Sequence, residues 1–311
     1  MRALVIGTRG SRLALCQVEI VREALAAAHP GIALTVQELK TEGDQSSAPL
    51  SEIGGLGVFT RAIEVALLER RIDMAVHSLK DLPPAETEGL TIAAIPDRGD
   101  PRDALVATGG RTLAELPHAA RIGTGSARRA AQLLRLRSDV EPVDIRGNVD
   151  TRVRKVEEGT YDAAVLAYAG LRRLGLESKA SQVFTVDEMI PAVGQACLAV
   201  QVRADDAAAV EIVRAIDHAD SRAAATCERA FLARLGAGCR LPVGAYAQAE
   251  GGRLHVRAML QSQAGRILTA QDSGHDGDAL EIGARLADAL LASAERVDGV
   301  APNAAAVDGL E

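Results

Sequence analysis

Leu4-Val-Ile-Gly-Thr-Arg-Gly-Ser11 decides the fold: a short apolar run ends in a Gly/Ser turn, and an amphipathic helix over Ser11–Ala28 follows until Pro30-Gly31 stops it. The same construction returns at Arg121-Ile-Gly-Thr-Gly-Ser126, with a helix expected over Ser126–Arg137. Strand, turn and helix used twice predict two similar α/β lobes, with mixed, mostly parallel sheets covered on both faces. Around the first turn, strands are expected at Ile32–Leu39, Ile72–Val76 and Leu90–Ile95, and a helix over Phe59–Arg71. Around the second, strands are expected at Ala104–Ala107, Val140–Ile145 and Ala163–Ala167, and a helix over Val149–Glu158. Ala196–Val202 and the helical Asp205–Ile216 suggest a second crossing between lobes. After about residue 218 the pattern changes. A helix (Ser221–Leu235), a Gly/Cys loop, antiparallel strands at Val243–Ala249, Leu254–Gln261 and Arg266–Gln271, and a helix (Ala279–Ala292) predict a small α+β domain. The expected division is 1–97 with 196–216, then 98–195, then 217–295, with 296–311 as a flexible tail.

The chain has 311 residues and is 48% hydrophobic, enough for two or three cores. No apolar run approaches the roughly 18 residues of a membrane span, and the N-terminus does not read as a signal peptide. A cytoplasmic, monomeric protein is expected. Net charge is −7 and aromatics are 2%, which argues against a nucleic-acid surface and against base stacking. Four lysines (Lys40, Lys80, Lys155, Lys179) stand against 31 arginines. Genome bias produces such a ratio; so does a need to grip carboxylate or phosphate with a planar fork. Position decides between them.

Arg128 and Arg129 fall in the first turn of a helix, where a cation opposes the dipole, so an anion is expected to share their site. Arg146 stands beside Gly147-Asn148. Arg135 and Arg137 sit at the far end of the same helix, favour its dipole and need no ligand. The two Gly/Ser turns offer free N–H groups to an anion, although ordinary capping by Ser11 and Ser126 also explains them. His77-Ser-Leu-Lys-Asp81 follows a buried strand, at the end of an α/β strand where ligands sit. Asp81 is a candidate acid/base or cation-stabilising group. His77 has no second ligand at metal spacing, and no metal is expected. Cys16, Cys197 and Cys227 read as buried and inert. Cys239, in Leu235-Gly-Ala-Gly-Cys-Arg-Leu-Pro242, is a candidate reactive thiol because its loop is Gly-rich and Arg240 favours thiolate. Gly54-Gly55-Leu56-Gly57 lacks the Lys-Ser/Thr of a phosphate loop and reads as a hinge or mobile loop.

Taken in order, these segments resemble the porphobilinogen deaminase (hydroxymethylbilane synthase) family. The pieces are Gly7-Thr-Arg-Gly-Ser11, Ala75-Val-His-Ser-Leu-Lys-Asp-Leu-Pro83, Asp100-Pro-Arg-Asp-Ala104, Gly123-Thr-Gly-Ser-Ala-Arg-Arg129, Arg146-Gly-Asn148, Ala169-Gly-Leu-Arg-Arg-Leu-Gly175, Pro191-Ala-Val-Gly-Gln195 and Gly238-Cys-Arg-Leu-Pro-Val-Gly244. Each is weak alone; the ordered set over roughly residues 5–245 is specific.

The resemblance implies two lobes like those of a type II periplasmic binding protein, crossed near residues 97 and 195, and a third domain bearing a cysteine-linked cofactor. It implies that four porphobilinogen units are deaminated and joined head-to-tail on a dipyrromethane primer, which is held by Cys239 through a thioether. The linear tetrapyrrole is then released by hydrolysis. Asp81 matches the catalytic aspartate. Arg9, Ser11, Lys80, Ser126, Arg128, Arg129, Arg146, Arg152 and Arg173 match carboxylate-binding positions, with Thr124 and Ser78 as minor contacts. The family loop often carries lysines where this chain has Glu52 and Leu56. A Thr-Arg-Gly-Asp segment is Thr41-Glu-Gly-Asp44 here, and Ala237 replaces a glycine. A two-lobed solute-binding module is the rival reading. It explains the arginines but neither Cys239 nor the third domain.

Overall fold

The computed structural model describes residues 3–39, 60–236 and 241–299. Cys239, Ala237, Arg240, Lys40, the Thr41–Gly57 stretch with Glu52 and Leu56, and residues 300–311 lie outside the described residues. The first lobe opens with β1 (Leu4–Arg9), α1 (Arg12–Ala28) and β2 (Leu34–Leu39). Helix α1 buries Ala14, Gln17, Val18, Val21 and Leu25, one stripe at helical spacing. Its start is fixed by Ser11, whose Oγ accepts from the Ala14 N–H at 3.3 Å. Next come α2 (Arg61–Leu68), β3 (Met74–Ser78) and β4 (Leu90–Ala94).

The chain then crosses over. The second lobe contains β5 (Asp103–Ala107), β6 (Arg121–Gly123), α3 (Ala127–Leu136), β7 (Glu141–Val143), α4 (Val149–Glu157), β8 (Ala163–Ala167), α5 (Tyr168–Arg173) and β9 (Gln182–Val183). It returns through β10 (Leu198–Arg203) and α6 (Ala207–Arg214).

The two sheets share one plan. Their orders are β2-β1-β3-β10-β4 and β7-β6-β8-β5-β9. In each, the strand in fourth place runs against its neighbours: β10 pairs antiparallel with β3 and β4, and β5 with β8 and β9. That strand is the first one laid down after a crossing. The remaining pairs are parallel. All six residues of β10 are buried, as a strand covered on both faces must be.

The C-terminal part has α7 (Ala219–Leu235), an antiparallel meander of β11 (Val243–Glu250), β12 (Arg253–Gln261) and β13 (Ile267–His275), and α8 (Ala279–Asp298). Its core gathers Phe231, Leu254, Val256, Leu286 and Leu290. Gly283 permits the close approach of α8 to α7, since a Cβ there would overlap the Cys227 carbonyl.

Several boundaries moved for identifiable reasons. The helix expected over 59–71 ends at Leu68, because Arg70 takes φ 59° and reverses the chain. Strand β3 begins at Met74 because the Asp73 side chain, not its backbone, receives the Val5 N–H at 2.9 Å. The expected tail is shortened: α8 continues through Asp298 and Gly299 caps it with φ 73°. Among the described residues no helix is long and apolar enough to cross a membrane.

Candidate functional site

Between the two sheets, at the carboxyl ends of β1, β3 and β8, lies a cavity of about 550 Å³. Asp81 stands on a 3₁₀ turn, Leu79–Asp81, directly after β3. That turn is anchored by the Leu79 N–H donating to the Cys197 carbonyl at 3.0 Å. It also packs on Gly194, where a Cβ would come within 2.9 Å of Leu79 Cγ. Asp81 and Lys80 are half-buried by surface, yet both lie deep below the molecular envelope. Burial pushes the Asp81 carboxyl above its usual range, opposed by the charges of Lys80 and Arg9. Burial likewise pulls the Lys80 ammonium down to about 8, partly resisted by Asp81.

Arg9, Ser11, Ser78, Lys80, Asp81, Arg129, Arg146, Arg152 and Arg173 all line this cavity, brought together from both lobes. Gln17 Nε2 donates to Ser78 Oγ at 2.8 Å, which leaves the Ser78 hydroxyl hydrogen for another acceptor. Arg146 pairs with Asp144 at 3.1 Å. Among the described residues Arg152 and Arg173 donate to backbone carbonyls alone, Gly147 O at 2.8 Å and Ala196 O at 2.6 Å. Among the described residues neither has a carboxylate within ion-pair distance. Burial therefore lowers both, Arg152 to about 10 with Arg129 and Arg146 adding repulsion.

Thr124, Ser126 and Arg128 do not line the cavity. Ser126 caps α3 by accepting from the Arg129 N–H at 3.4 Å, and the Thr124 hydroxyl accepts from the Ser126 N–H at 3.2 Å. An internal anion already stands beside Arg128 and Arg129. Asp103, fully buried on β5, pairs with Arg128 at 2.8 Å and Arg129 at 2.7 Å. Burial works against its charge, but the two guanidinium groups bring Asp103 down to about 2. The dipole cost of two cations in a first turn is thus explained without a ligand, and Arg129 serves both Asp103 and the cavity wall. Sequence reasoning gave Asp103 no role. It stands within Asp100-Pro-Arg-Asp-Ala104, but nothing in one sequence pairs it with residues 25 and 26 positions on.

His77, Thr8, Asn148 and Cys197 also line the cavity. Cys197 is buried, and its thiol is raised to about 11 by that burial. Cys227 is buried and raised to about 12, chiefly by burial. Cys16 is half-buried.

Residues 4–211 match the family described as porphobilinogen deaminase, dipyromethane cofactor binding domain, and residues 223–292 match porphobilinogen deaminase, C-terminal domain. The chain belongs to the porphobilinogen deaminase family. The porphobilinogen deaminase of Roseiflexus sp. (strain RS-1) is 50% identical over 93% of this chain and 96% of its own length. That of Desulforudis audaxviator is 47% identical over 93% of this chain and 94% of its own. Solved structures with a similar course include a periplasmic binding protein of Salmonella typhimurium with high arginine specificity (12% identical, TM-score 0.39, covering 70% of this chain and 92% of that one). The aliphatic sulphonate binding protein SsuA of Escherichia coli is 14% identical, with TM-score 0.40 over 75% of this chain and 70% of its own. The two lobes share one strand order.

The family's cofactor is dipyrromethane. The described residues fit it. A pyrrole chain carries N–H donors and many carboxylates, and the cavity offers a carboxyl together with the guanidinium groups of Arg152 and Arg173, which no carboxylate among the described residues reaches.

Proposed function

We propose that this cavity is where porphobilinogen is deaminated and joined head-to-tail, in four rounds, to the dipyrromethane primer, giving the linear tetrapyrrole hydroxymethylbilane. The observation that carries the reading is that one cavity holds Asp81 together with two half-buried arginines, Arg152 and Arg173, that no carboxylate among the described residues reaches. The bound cofactor supplies a nucleophilic pyrrole α-carbon. The protein's part is electrostatic and prototropic. Asp81 accepts pyrrole N–H groups and stabilises the cation left on the substrate when ammonia departs. Its raised affinity for a proton suits its carboxylate oxygens to taking the proton released when the new C–C bond restores aromaticity. Lys80 balances that carboxylate. Arg9, Ser11, Arg129, Arg146, Arg152 and Arg173 hold acetate and propionate groups, and Ser78 donates its hydroxyl to one of them. Thr124, Ser126 and Arg128 act at one remove, by fixing the start of α3 and the Asp103 cluster.

We assign cofactor attachment to Cys239 through a thioether. The lobes are 1–97 with 196–216, and 98–195; the cofactor-bearing domain is 217–295. The enzyme works as a cytoplasmic monomer on a small-molecule substrate, without nucleic acid or metal. Intact-mass spectrometry of the purified protein tests the reading. A covalent adduct of two pyrrole units is expected, absent from Cys239→Ser. An unmodified, unreactive Cys239 in folded protein would overturn it.

A further inference from the structure

A second cavity, of about 240 Å³, lies away from the first, between the segment after Asp81 and helix α7. Its floor is apolar: Ile92 and Ile95 are 7% and 3% exposed, and Ala230 and Ala233 face them from α7. On its rim Leu280, the second residue of α8, is 65% exposed, more than any other large hydrophobic side chain among the described residues. Two arginines, a near-integral number of helical turns apart on α7, border the space. They differ in one respect. Arg222 is satisfied: it pairs with Asp217 and donates to the carbonyls of Ile92 and Ala93 at 3.2 and 3.0 Å. Arg229 is half-buried and donates to the Pro84 carbonyl at 2.8 Å, but among the described residues no carboxylate reaches it within ion-pair distance. Burial accordingly lowers its affinity for the proton, with only partial relief from Glu86. A half-buried guanidinium that gives one hydrogen bond to a carbonyl and has no ion pair among the described residues keeps donors available to a ligand.

We propose that this cavity binds a small organic monoanion, a carboxylate carried on an apolar body. The carboxylate pairs with the free edge of Arg229 and the body covers Ile92, Ile95 and Leu280. Glu86 on the same rim repels a doubly charged group, which sets the preference for a single charge. The place matters for the molecule. The cavity is walled on one side by Pro84, three residues after Asp81, and on the other by Ala233, six residues before Cys239. An occupant would tie together the two segments that lead to those groups. The site is defined without reference to the first cavity.

Benzoate is the probe, used on the full-length protein carrying its cofactor and followed by thermal unfolding. A saturable rise in Tm is expected, with half-saturation near about 1 mM for a fragment of this size. At tenfold excess the rise should be about 1–2 °C. Arg229→Leu should abolish it. Ala233→Leu, which narrows the cavity from an exposed position and leaves the charges alone, should reduce it and keeps the test readable if Arg229→Leu fails to fold. Arg152→Leu should leave the rise intact, since that residue lines the other cavity. Acetate lacks the apolar body and benzyl alcohol lacks the charge, so neither should give a saturable rise. No saturable rise with benzoate overturns the proposal. So does a rise that persists in both Arg229→Leu and Ala233→Leu, or one lost in Arg152→Leu.

Discussion

At the scale of single residues, the cavity sets two groups against their own preferences. Asp81 resists ionisation because it is buried, and Lys80 gives up its proton more readily for the same reason. Neither residue helps the fold by being charged there; what justifies them is a ligand that develops positive charge and carries negative substituents. Asp81→Asn keeps the shape and removes the charge. Its kcat should fall by about two to four powers of ten, with an unchanged circular dichroism spectrum; near-normal turnover would remove Asp81 from the reaction. His77 offers a test that does not involve turnover. Burial lowers its imidazole from 6.5 to about 4, only slightly opposed by a hydrogen bond with Gln201. The unfolded chain takes up that proton as pH falls through 6.5, and the folded protein resists until about 4. Stability tied to His77 is therefore complete above 6.5 and lost as pH falls towards 4, on the order of 3 kcal/mol in all. His77→Phe should flatten the pH dependence of urea-unfolding free energy over that interval; an unaltered slope would show that His77 is not buried in its neutral form.

At the scale of elements, the start of α3 is a junction, not only an anion site. Asp103 on β5 holds both Arg128 and Arg129, and accepts from Gln195 Nε2 at 3.0 Å on the segment leading back to the first lobe. Asp103→Asn leaves two buried guanidinium groups with one neutral partner. The expected loss is about 3–5 kcal/mol in urea unfolding, against little change for Arg135→Gln, whose exposed side chain donates to the Asp187 and Glu188 carbonyls. This junction marks the limit of what the sequence discloses. Strand, turn and helix at Leu4 and again at Arg121 were legible because they depend on neighbours: apolar runs, a glycine, a capping serine. Helix α5 and strand β9 were not. Tyr168–Arg173 is a six-residue helix with too few turns to show a period, and Gln182–Val183 is a two-residue strand that exists only because β5 accepts it. The internal partner of Arg128 was hidden for the same reason. That anion is near in space and distant along the chain, whereas the residues around Asp81 could be found from one uninterrupted motif.

At the scale of the whole molecule, the two crossings and the C-terminal part meet at one buried ion pair. Arg98, on the outward crossing, reaches Glu228 of α7 at 2.6 Å and donates to the Gln195 carbonyl on the return crossing at 2.9 Å. Its guanidinium also lies 5.0 Å from the centre of the Tyr246 ring on β11. Burial opposes the charge on Arg98, but Glu228 more than restores it, so its proton is held more tightly than usual. The two Glu228 oxygens take the N–H groups of Gly194 and Ala247 at 2.7 and 2.8 Å, one from the return crossing and one from β11. The outward crossing, the return crossing and β11 are thus tied to one carboxylate. Glu228→Leu is similar in size but removes both acceptor oxygens, so Arg98 loses its counter-charge and the two N–H groups each lose their partner. Hydrogen exchange should therefore accelerate at Gly194 and Ala247 together, about tenfold or more for a loss of the size expected from breaking a buried charged hydrogen bond. Amides in the β11–β12 pairing further along, such as Leu254, should exchange as before, because that sheet and its helices keep their own core. Acceleration at only one of the two amides would mean that Glu228 anchors a single segment, and that the crossings and the C-terminal part are held together elsewhere.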